Sequence, residues 1–386
     1  MTKFHSLPTA VDVAIVGAGP VGMTLALALA GGPFSVCLID ARARGAWAGD
    51  PRALALAHGS RQLLAGLQAW NGDAATPIET IHVSQRGGFG QTLIDAADYA
   101  LPALGYVMRY RDLAAALDAH IAADALFDNC RLGDIQANDS RIELTLLTAG
   151  ESRTLNVRLL VHAEGTPADD PDVRVFDYHQ HAVVAEVRPD PPPGRRAWGR
   201  FTPDGPLALL PLAADHSLVF TVPVEKAAQL LSFDDAAFLA ALRRQFGTRM
   251  DFTATGSRAA FPLALRLRRQ LCGPRQVWIG NAAQSLHPVS GQGFNLGLRD
   301  AWELAETLLA GQDDPGAAAL LATYARGRQL DRLGSGAFTD GIVRVFSNDL
   351  PPLRVARGLG LLALDLLPPL RHFVAKRMIW GARAWP

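Results

Sequence analysis

Residues 11–40 pass from one apolar run to another through Gly17-Ala18-Gly19-Pro20-Val21-Gly22, and end in Asp40. Val11–Val16 (VDVAIV) is β-branched and apolar throughout, the pattern of a strand buried on both faces of a parallel sheet. The helix-patterned Met23–Ala30 follows the glycines, then the break Gly31-Gly32-Pro33 and a second apolar run, Ser35–Ile39. In this context the first glycine makes a tight turn, the second admits a pyrophosphate close to the backbone, and the third lets helix and strand pack. Asp40, at the end of the second strand, can accept ribose hydroxyls. The segment therefore predicts a Rossmann-like βαβ unit for a dinucleotide, NAD or FAD. No charged residue lies between Asp12 and Asp40, so a hydropathy window reads a membrane span or leader here. The interrupting glycines and prolines argue against that, as does the strand–turn–helix pattern.

Val277–Leu309 repeats the logic far along the chain. Val277–Ile279 breaks at Gly280, a loop with His287 and Pro288 follows, and Gly291-Gln292-Gly293 opens a segment with Leu296, Trp302, Leu304, Leu308 and Leu309 at helical spacing. The first N–H groups of a helix lack partners and favour negative charge. A plain βα turn also favours Gly and Asn; the distant first glycine turn tilts the reading toward a shared ligand. Between the two, Arg52–Trp70 and Arg111–Leu126 read as amphipathic helices. Ile81–Ser84, Gln91–Ile94, Leu132–Ile135, Ile142–Leu147 and Leu155–Val161 read as strands, the last running into His162-Ala163-Glu164-Gly165. Beyond Thr166 the strand candidates His181–Val187, Leu207–Leu212, Leu218–Val222 and Ser257–Pro262, with one helix candidate, Phe233–Phe246, suggest an inserted, mainly antiparallel sheet. The expected division is a discontinuous nucleotide domain (1–76, 101–170, 266–330), a substrate domain (77–100, 171–265) and C-terminal helices (331–386).

A chain of 386 residues exceeds one comfortable core, so two domains are expected. Lys+Arg and Asp+Glu both number 37, so no global field draws the protein to nucleic acid. Cys37, Cys130 and Cys272 show no metal-ligand spacing and suit a reducing cytoplasm, and no metal is expected. Near the C-terminus, Leu359, Leu361, Leu362, Leu366, Leu367 and Leu370 sit among Arg354, Arg357, Arg371, Lys376 and Arg377. The stretch is too short to span a bilayer. Two readings stay open: it lies on an anionic membrane surface, making the protein peripheral to the inner membrane, or it is a helix pair packed on the body with its basic face in water.

Gly17–Gly22, His162–Gly165 and Gly280–Asp300 together resemble the class A FAD-dependent aromatic hydroxylases, most of all their ubiquinone-biosynthesis branch. Further likeness in Pro51–Ser60, Ile81–Gly87 and Gly358–Gly381 extends it over essentially the whole chain. Asn281 stands where the broader family has Asp, and Glu164-Gly165 where it has Asp-Gly. The resemblance implies an α/β fold: a Rossmann-like FAD-binding domain of the glutathione-reductase-2 type, an inserted antiparallel substrate sheet and a C-terminal helical segment. It implies FAD with its pyrophosphate over Gly17, Gly19, Pro20 and Gly22, its adenosine ribose on Asp40, and further contacts from Arg52, Arg111, Glu164, Gly280 and Asn281. Pro288, Gly291, Gln292, Gly293, Phe294 and Asn295 would face the flavin ring, with His287 and Pro288 near its reactive edge. NAD(P)H would supply hydride, and O2 would add at flavin C4a as a hydroperoxide that attacks a polyprenylated phenol. Phe201, Leu209 and Phe261 are candidate substrate-lining residues, and a membrane surface and a quinone-biosynthesis complex are candidate partners. The competing readings are hydroxylation of a soluble aromatic acid held by Arg195, Arg196 or Arg200, reduction of an isoprenoid, and a non-catalytic scaffold in a quinone-biosynthesis complex.

Overall fold

The computed structural model describes residues 8–148, 150–166, 170–311, 313–346 and 351–381. The expected C-terminal segment 331–386 thus includes 347–350 and 382–386, which lie outside the described residues. The helices are α1 Pro20–Leu29, α2 His58–Gly66, α3 Tyr110–Asp118, α4 Val224–Ser232, α5 Asp235–Phe246, α6 Gln292–Gly311, α7 Ala318–Phe346, α8 Pro351–Leu366 and α9 Pro368–Trp380.

The first sheet carries a parallel core in the order Gln276–Trp278, Glu151–His162, Ala10–Val16, Val36–Ile39, Leu126–Phe127. Both faces of the N-terminal strand are buried, which is why its residues are apolar without alternation. Val13 and Ile15 pack with Met23 and Leu25 of α1, Leu113 of α3 and Leu298 of α6. Ala14 and Val16 pack on the other side with Ile142, Leu144 and Leu155. That covering layer is an antiparallel ribbon, Cys130–Ala137, Ile142–Thr148 and the long strand Glu151–His162.

The second sheet has nine strands, built around Val173–Asp190 and its antiparallel neighbours Asp215–Pro223, Asp251–Thr255 and Ala259–Arg268. It continues through Gly205–Leu212 and Arg196–Thr202 to Thr80–Gln85 and Gln91–Asp95. One face buries Leu207, Leu209, Leu218 and Phe220 against Leu230 of α4 and Phe238 and Leu242 of α5. The other face, with Ala197, Leu210 and Leu212, meets Ala53, Ile78 and Val107 of a small three-stranded sheet. The insert also holds two helices where the sequence suggests one.

Two other helix expectations are corrected. Ala53–Ala57, expected inside the helix Arg52–Trp70, is a strand pairing antiparallel with Gly105–Arg109, and the helix starts only at His58. Sheet pairing here overrides the helical preference of Ala and Leu. Expected to reach Leu126, α3 stops at Asp118, where Arg44 Nη2 donates to the Asp118 and Ile121 carbonyls, and Leu126–Phe127 joins the parallel sheet.

Candidate functional site

Val16 is paired with both His162 and Ile39, and His162 with Trp278, all in parallel register. The residues that follow these strands therefore arrive along one edge: Gly17, Asp40, Ala163–Glu164 and Ile279–Gly280. This is where ligands sit on doubly wound sheets. Backbone bonds fasten the row: Gly17 N to Ile39 O at 2.7 Å, Ala163 N to Val16 O at 2.7 Å, and Ile279 N to His162 O at 3.0 Å. Gly17 has φ +106°, and a Cβ there would stand 2.4 Å from Ala163 O; a Cβ on Gly22 would stand 2.0 Å from Gly17 O. Gly19 differs, because its nearest neighbour would be Tyr110 Oη at 3.5 Å, so its face is open. Helix α1 starts at Pro20 with no side-chain cap and no acid in its first turn. Asp40 Oδ2 accepts from Ala18 N at 2.8 Å and Oδ1 from Arg42 N at 2.8 Å, and the exposed Arg42 guanidinium pairs with the carboxylate at 3.3 Å. Beside it lies a shallow groove lined by Ala18, Arg42, Gly45, Trp47 and Asp128.

The second loop is held from behind. Gly280 (φ +60°) begins a 3₁₀ turn, Gly280–Ala282, with Asn281 exposed. Asp300, one-fiftieth exposed on α6, accepts from Gly280 N at 3.0 Å, Gln284 Nε2 at 2.5 Å and Arg328 Nε at 2.8 Å. Arg328 is fully buried on α7 and also pairs with Glu303 at 2.7 Å and Asp331 at 3.0 Å. Burial opposes its charge, yet the carboxylates of Asp300, Asp331 and Glu303 hold the guanidinium above its usual value. Gly297 lets α6 approach this turn: a Cβ there would lie 3.0 Å from Val21 Cγ2 and 3.2 Å from Gly280 Cα. Both glycine loops and α6 therefore share one contact. Arg328 carries no local sequence signal, because a mid-helix arginine usually reads as solvated.

In the stretch 287–295, His287 is wholly buried and its Nδ1 accepts from Val289 N at 3.1 Å, capping the 3₁₀ turn that Pro288 begins. Burial pushes its pKa down to about 4, so the ring is neutral at physiological pH with its proton on Nε2. Gly291 (φ +61°) turns the chain into α6, whose first turn contains no acid. Asn295 turns its side chain inward: Oδ1 accepts from Ala57 N at 2.8 Å and Ser60 Oγ at 2.7 Å, and Nδ2 donates to Ala55 O at 2.9 Å and Gly291 O at 2.7 Å. Gln292 Nε2 donates to Met378 O of α9 at 3.1 Å. Phe294 packs on the main core, and a Cβ on Gly293 would meet nothing nearer than 3.9 Å. Gly291 N itself donates to Pro288 O at 2.9 Å, so the backbone N–H groups left for a ligand at the start of α6 are those of Gln292, Gly293 and Phe294, while the Asn295 side chain is occupied.

Arg52 is paired with Asp50 at 2.6 Å and lies 4.8 Å from the Tyr110 ring centroid. Arg111 is half exposed beside Asp112, and Glu164 is exposed, its Oε1 3.4 Å from His162 Nδ1. His162 stacks on Trp278 at 4.7 Å. Side chains alternate across a strand, and this separates the three substrate-lining candidates. Phe201 pairs with Pro206 and stacks on Phe346 of α7 at 3.8 Å, and Phe261 pairs with Ala182 and lies 5.8 Å from the Arg52 guanidinium. Leu209 shares the opposite face with Leu207 and Leu218 in the α4–α5 core, so its selection is corrected: it faces away from the nucleotide edge. Arg195 pairs with Glu79, Arg196 donates to Thr80 Oγ1, and Arg200 donates to Ser84 Oγ and Gln245 O, which commits all three candidate carboxylate holders. A partly open apolar cleft of about 80 Å³ adjoins Gly291, Gln292 and Asn295. Ala55, Ile81, Ile94 and the α9 residues Met378 and Ile379 are among its walls.

Two helix starts without acids, an open glycine turn and an exposed Asn281 form a donor set for an extended, anionic, electron-rich cofactor, and they fit FAD. Comparison with known proteins agrees. The FAD binding domain family matches residues 10–331. The chain is 34% identical to ubiquinone hydroxylase UbiL of Rhodospirillum rubrum, over 97% of this chain and 91% of that protein. It is 31% identical to the 3-demethoxyubiquinol 3-hydroxylase of Escherichia coli, over 95% and 97% respectively. The crystal structure of p-nitrophenol 4-monooxygenase PnpA from Pseudomonas putida has the same fold, with a TM-score of 0.78 at 16% identity, covering 98% of this chain and all of that one. The chain belongs to the FAD-binding domain family, within its ubiquinone-hydroxylase branch.

Proposed function

We propose that this protein is an FAD-dependent monooxygenase that uses NAD(P)H and O2 to hydroxylate a polyprenylated phenol in ubiquinone biosynthesis. The observation that carries the proposal is the single row of Gly17, Asp40, Glu164 and Gly280 at the sheet edge, with the start of α6 and an apolar cleft beside it. Bound FAD supplies hydride acceptance and oxygen activation, chemistry no side chain provides. The chain's part is to bind, orient and tune charge. In this reading Gly17, Gly19, Pro20 and Gly22 take the pyrophosphate and Asp40 the ribose, with Arg52, Arg111, Glu164, Gly280 and Asn281 around the cofactor. The helix start Gly291–Asn295 faces the flavin ring, and its unpaired backbone N–H groups at Gln292, Gly293 and Phe294 stabilise negative charge there. His287, neutral and buried, shapes the loop with Pro288 rather than exchanging protons with solvent. Phe201 and Phe261 line the substrate side. The two sheets support a nucleotide unit of 1–76, 101–170 and 266–330 and a substrate unit of 77–100 and 171–265. Partners in the same proposal are a membrane surface and a quinone-biosynthesis complex.

The test is NAD(P)H oxidation by the purified protein. It should require FAD, O2 and a prenylated phenol together, and yield hydroxylated product. Protein that takes up no FAD, or product formed without O2, overturns the proposal. Phe261→Ala should raise KM with the fold intact, whereas Leu209→Ala should cost about 2–5 kcal/mol of stability through its cavity.

A further inference from the structure

Helices α8 and α9 meet at Leu367 with their axes bent by 94°, and among the described residues no single helix is long and apolar enough to cross a bilayer. One side of this corner is docked. Leu361, Ala375 and Ile379 are buried, Tyr99 Oη lies 3.0 Å from His372 Nδ1, and the backbones of Gly90 and Gly358 touch so closely that a Cβ on Gly90 would stand 2.2 Å from Gly358 O. The other side is uncovered. Val355, Leu359, Leu362 and Leu366 repeat at helical spacing along α8, are 38–66% exposed, and continue into Leu367, Leu370 and Phe373. The loop residue Phe89 packs on Gly358 and is 50% exposed. Leu93 is 40% exposed, and its N–H donates to Asp365 at 3.4 Å. Helices and hairpin thus expose nine large apolar side chains, and a contiguous apolar patch on a protein surface marks an interaction site.

Basic residues outnumber acids on the two helices. Arg354, Arg371, Lys376 and Arg377 lie along them, Arg377 over the Phe373 ring at 4.5 Å, and Asp365 is their sole acid; Arg371 also meets Asp98 at 3.7 Å. Apolar side chains among basic ones suit the headgroup boundary of an anionic bilayer; two copies of the surface meeting face to face would bring basic residues together. We propose that the α8–α9 corner, with Phe89 and Leu93, docks on an anionic phospholipid surface. Met378 and Ile379 wall the apolar cleft from the inner side of α9, so docking sets that cleft one helix away from lipid. The proposal deepens the reading of an apolar substrate and rests on it for its purpose, but its test does not depend on turnover.

The test is co-sedimentation of the FAD-loaded full chain with phosphatidylcholine vesicles, with and without phosphatidylglycerol. Binding should require phosphatidylglycerol and weaken with salt. Lys376→Gln and Arg377→Gln should each weaken it about fivefold, and the double variant Leu366→Glu/Leu367→Glu should abolish it at unchanged FAD content and circular dichroism. Wild-type protein that stays in the supernatant with both vesicle types overturns the proposal, as do glutamate variants that sediment like wild type. A concentration-dependent dimer, dissolved by the same glutamates without any vesicle binding, would assign the surface to a second copy instead. Detergent-dispersed substrate should still be hydroxylated by the glutamate variants, so loss of docking and loss of function are separable.

Discussion

Asp300→Asn is the most informative single change, because one buried carboxylate receives three donors from three places. It takes Gly280 N, Gln284 Nε2 and Arg328 Nε, all within 3.0 Å. Asparagine has nearly the same shape but only one accepting oxygen, so in either orientation its NH2 group faces a donor. Turned toward Arg328, it opposes a guanidinium; turned the other way, it releases the Gly280 turn. Hydrogen bonds to charged groups contribute about 1.5–3 kcal/mol, and breaking a buried ion pair costs about 3–5 kcal/mol. Arg328 keeps Glu303 and Asp331, which places the expected loss at the low end, about 3 kcal/mol of unfolding free energy. Freed of its anchor, the turn carrying Asn281 should also hold FAD less well, by about tenfold or 1.4 kcal/mol. Urea unfolding of the apoprotein measures the first quantity, and quenching of flavin fluorescence on titration measures the second. Gln284→Leu, which removes one donor and leaves the ion pair, should show a smaller loss in both. A stability change below about 0.5 kcal/mol, the range of an ordinary surface substitution, together with unaltered FAD affinity, would refute the assignment of Asp300 as the residue that positions this loop.

The glycines of the first turn should separate by role. Gly22→Ala drives a Cβ into Gly17 O and should lower Tm sharply, whereas Gly19→Ala meets only Tyr110 Oη at 3.5 Å and should fold normally yet bind FAD weakly; equal Tm values for the two variants would contradict this. His287 and His216 are both held down to about 4 by burial. Their folded values lie below the unfolded value of about 6.5, so the unfolded chain takes up protons that the folded chain refuses. Stability should therefore be constant above about pH 6.5 and fall between there and pH 4, by up to about 3 kcal/mol for each histidine. Tm measured from pH 7.5 to 4.5 checks the window, His216→Gln should flatten the slope, and a Tm unchanged between pH 7 and 5 would be the contrary result.

Elements whose pattern depends on local periodicity and turn chemistry were legible in the sequence. The strand before Gly17, the turn, α1 and the strand ending at Asp40 all follow from runs of apolar residues punctuated by glycine. Elements fixed by distant partners were not. Ala53–Ala57 has a helix-forming composition and becomes a strand only because Gly105–Arg109 lies beside it. Leu209 and Phe261 are equally apolar, and only pairing register turns one toward α5 and the other toward Arg52. For the same reason the ion pair of Asp300 and Arg328 could not be anticipated. Neither residue is unusual for its own helix, and the charge becomes costly only once both are buried together.

The Asn295 clamp has a consequence for how the chain reaches this structure. Its side chain joins residues 235–240 positions away. Closing a loop of that length costs about 5 kcal/mol of chain entropy, since the penalty grows as the logarithm of loop length. The contact therefore cannot nucleate folding and should form late, after each sheet has assembled around its nearer pairings. Before the first sheet assembles, the apolar strand Ala10–Val16 lacks its neighbour Glu151–His162 and is open to association with other chains. A ligand that touches both ends of the clamp favours the closed state by its own affinity, so FAD available during refolding should raise the yield of native protein as well as its final stability.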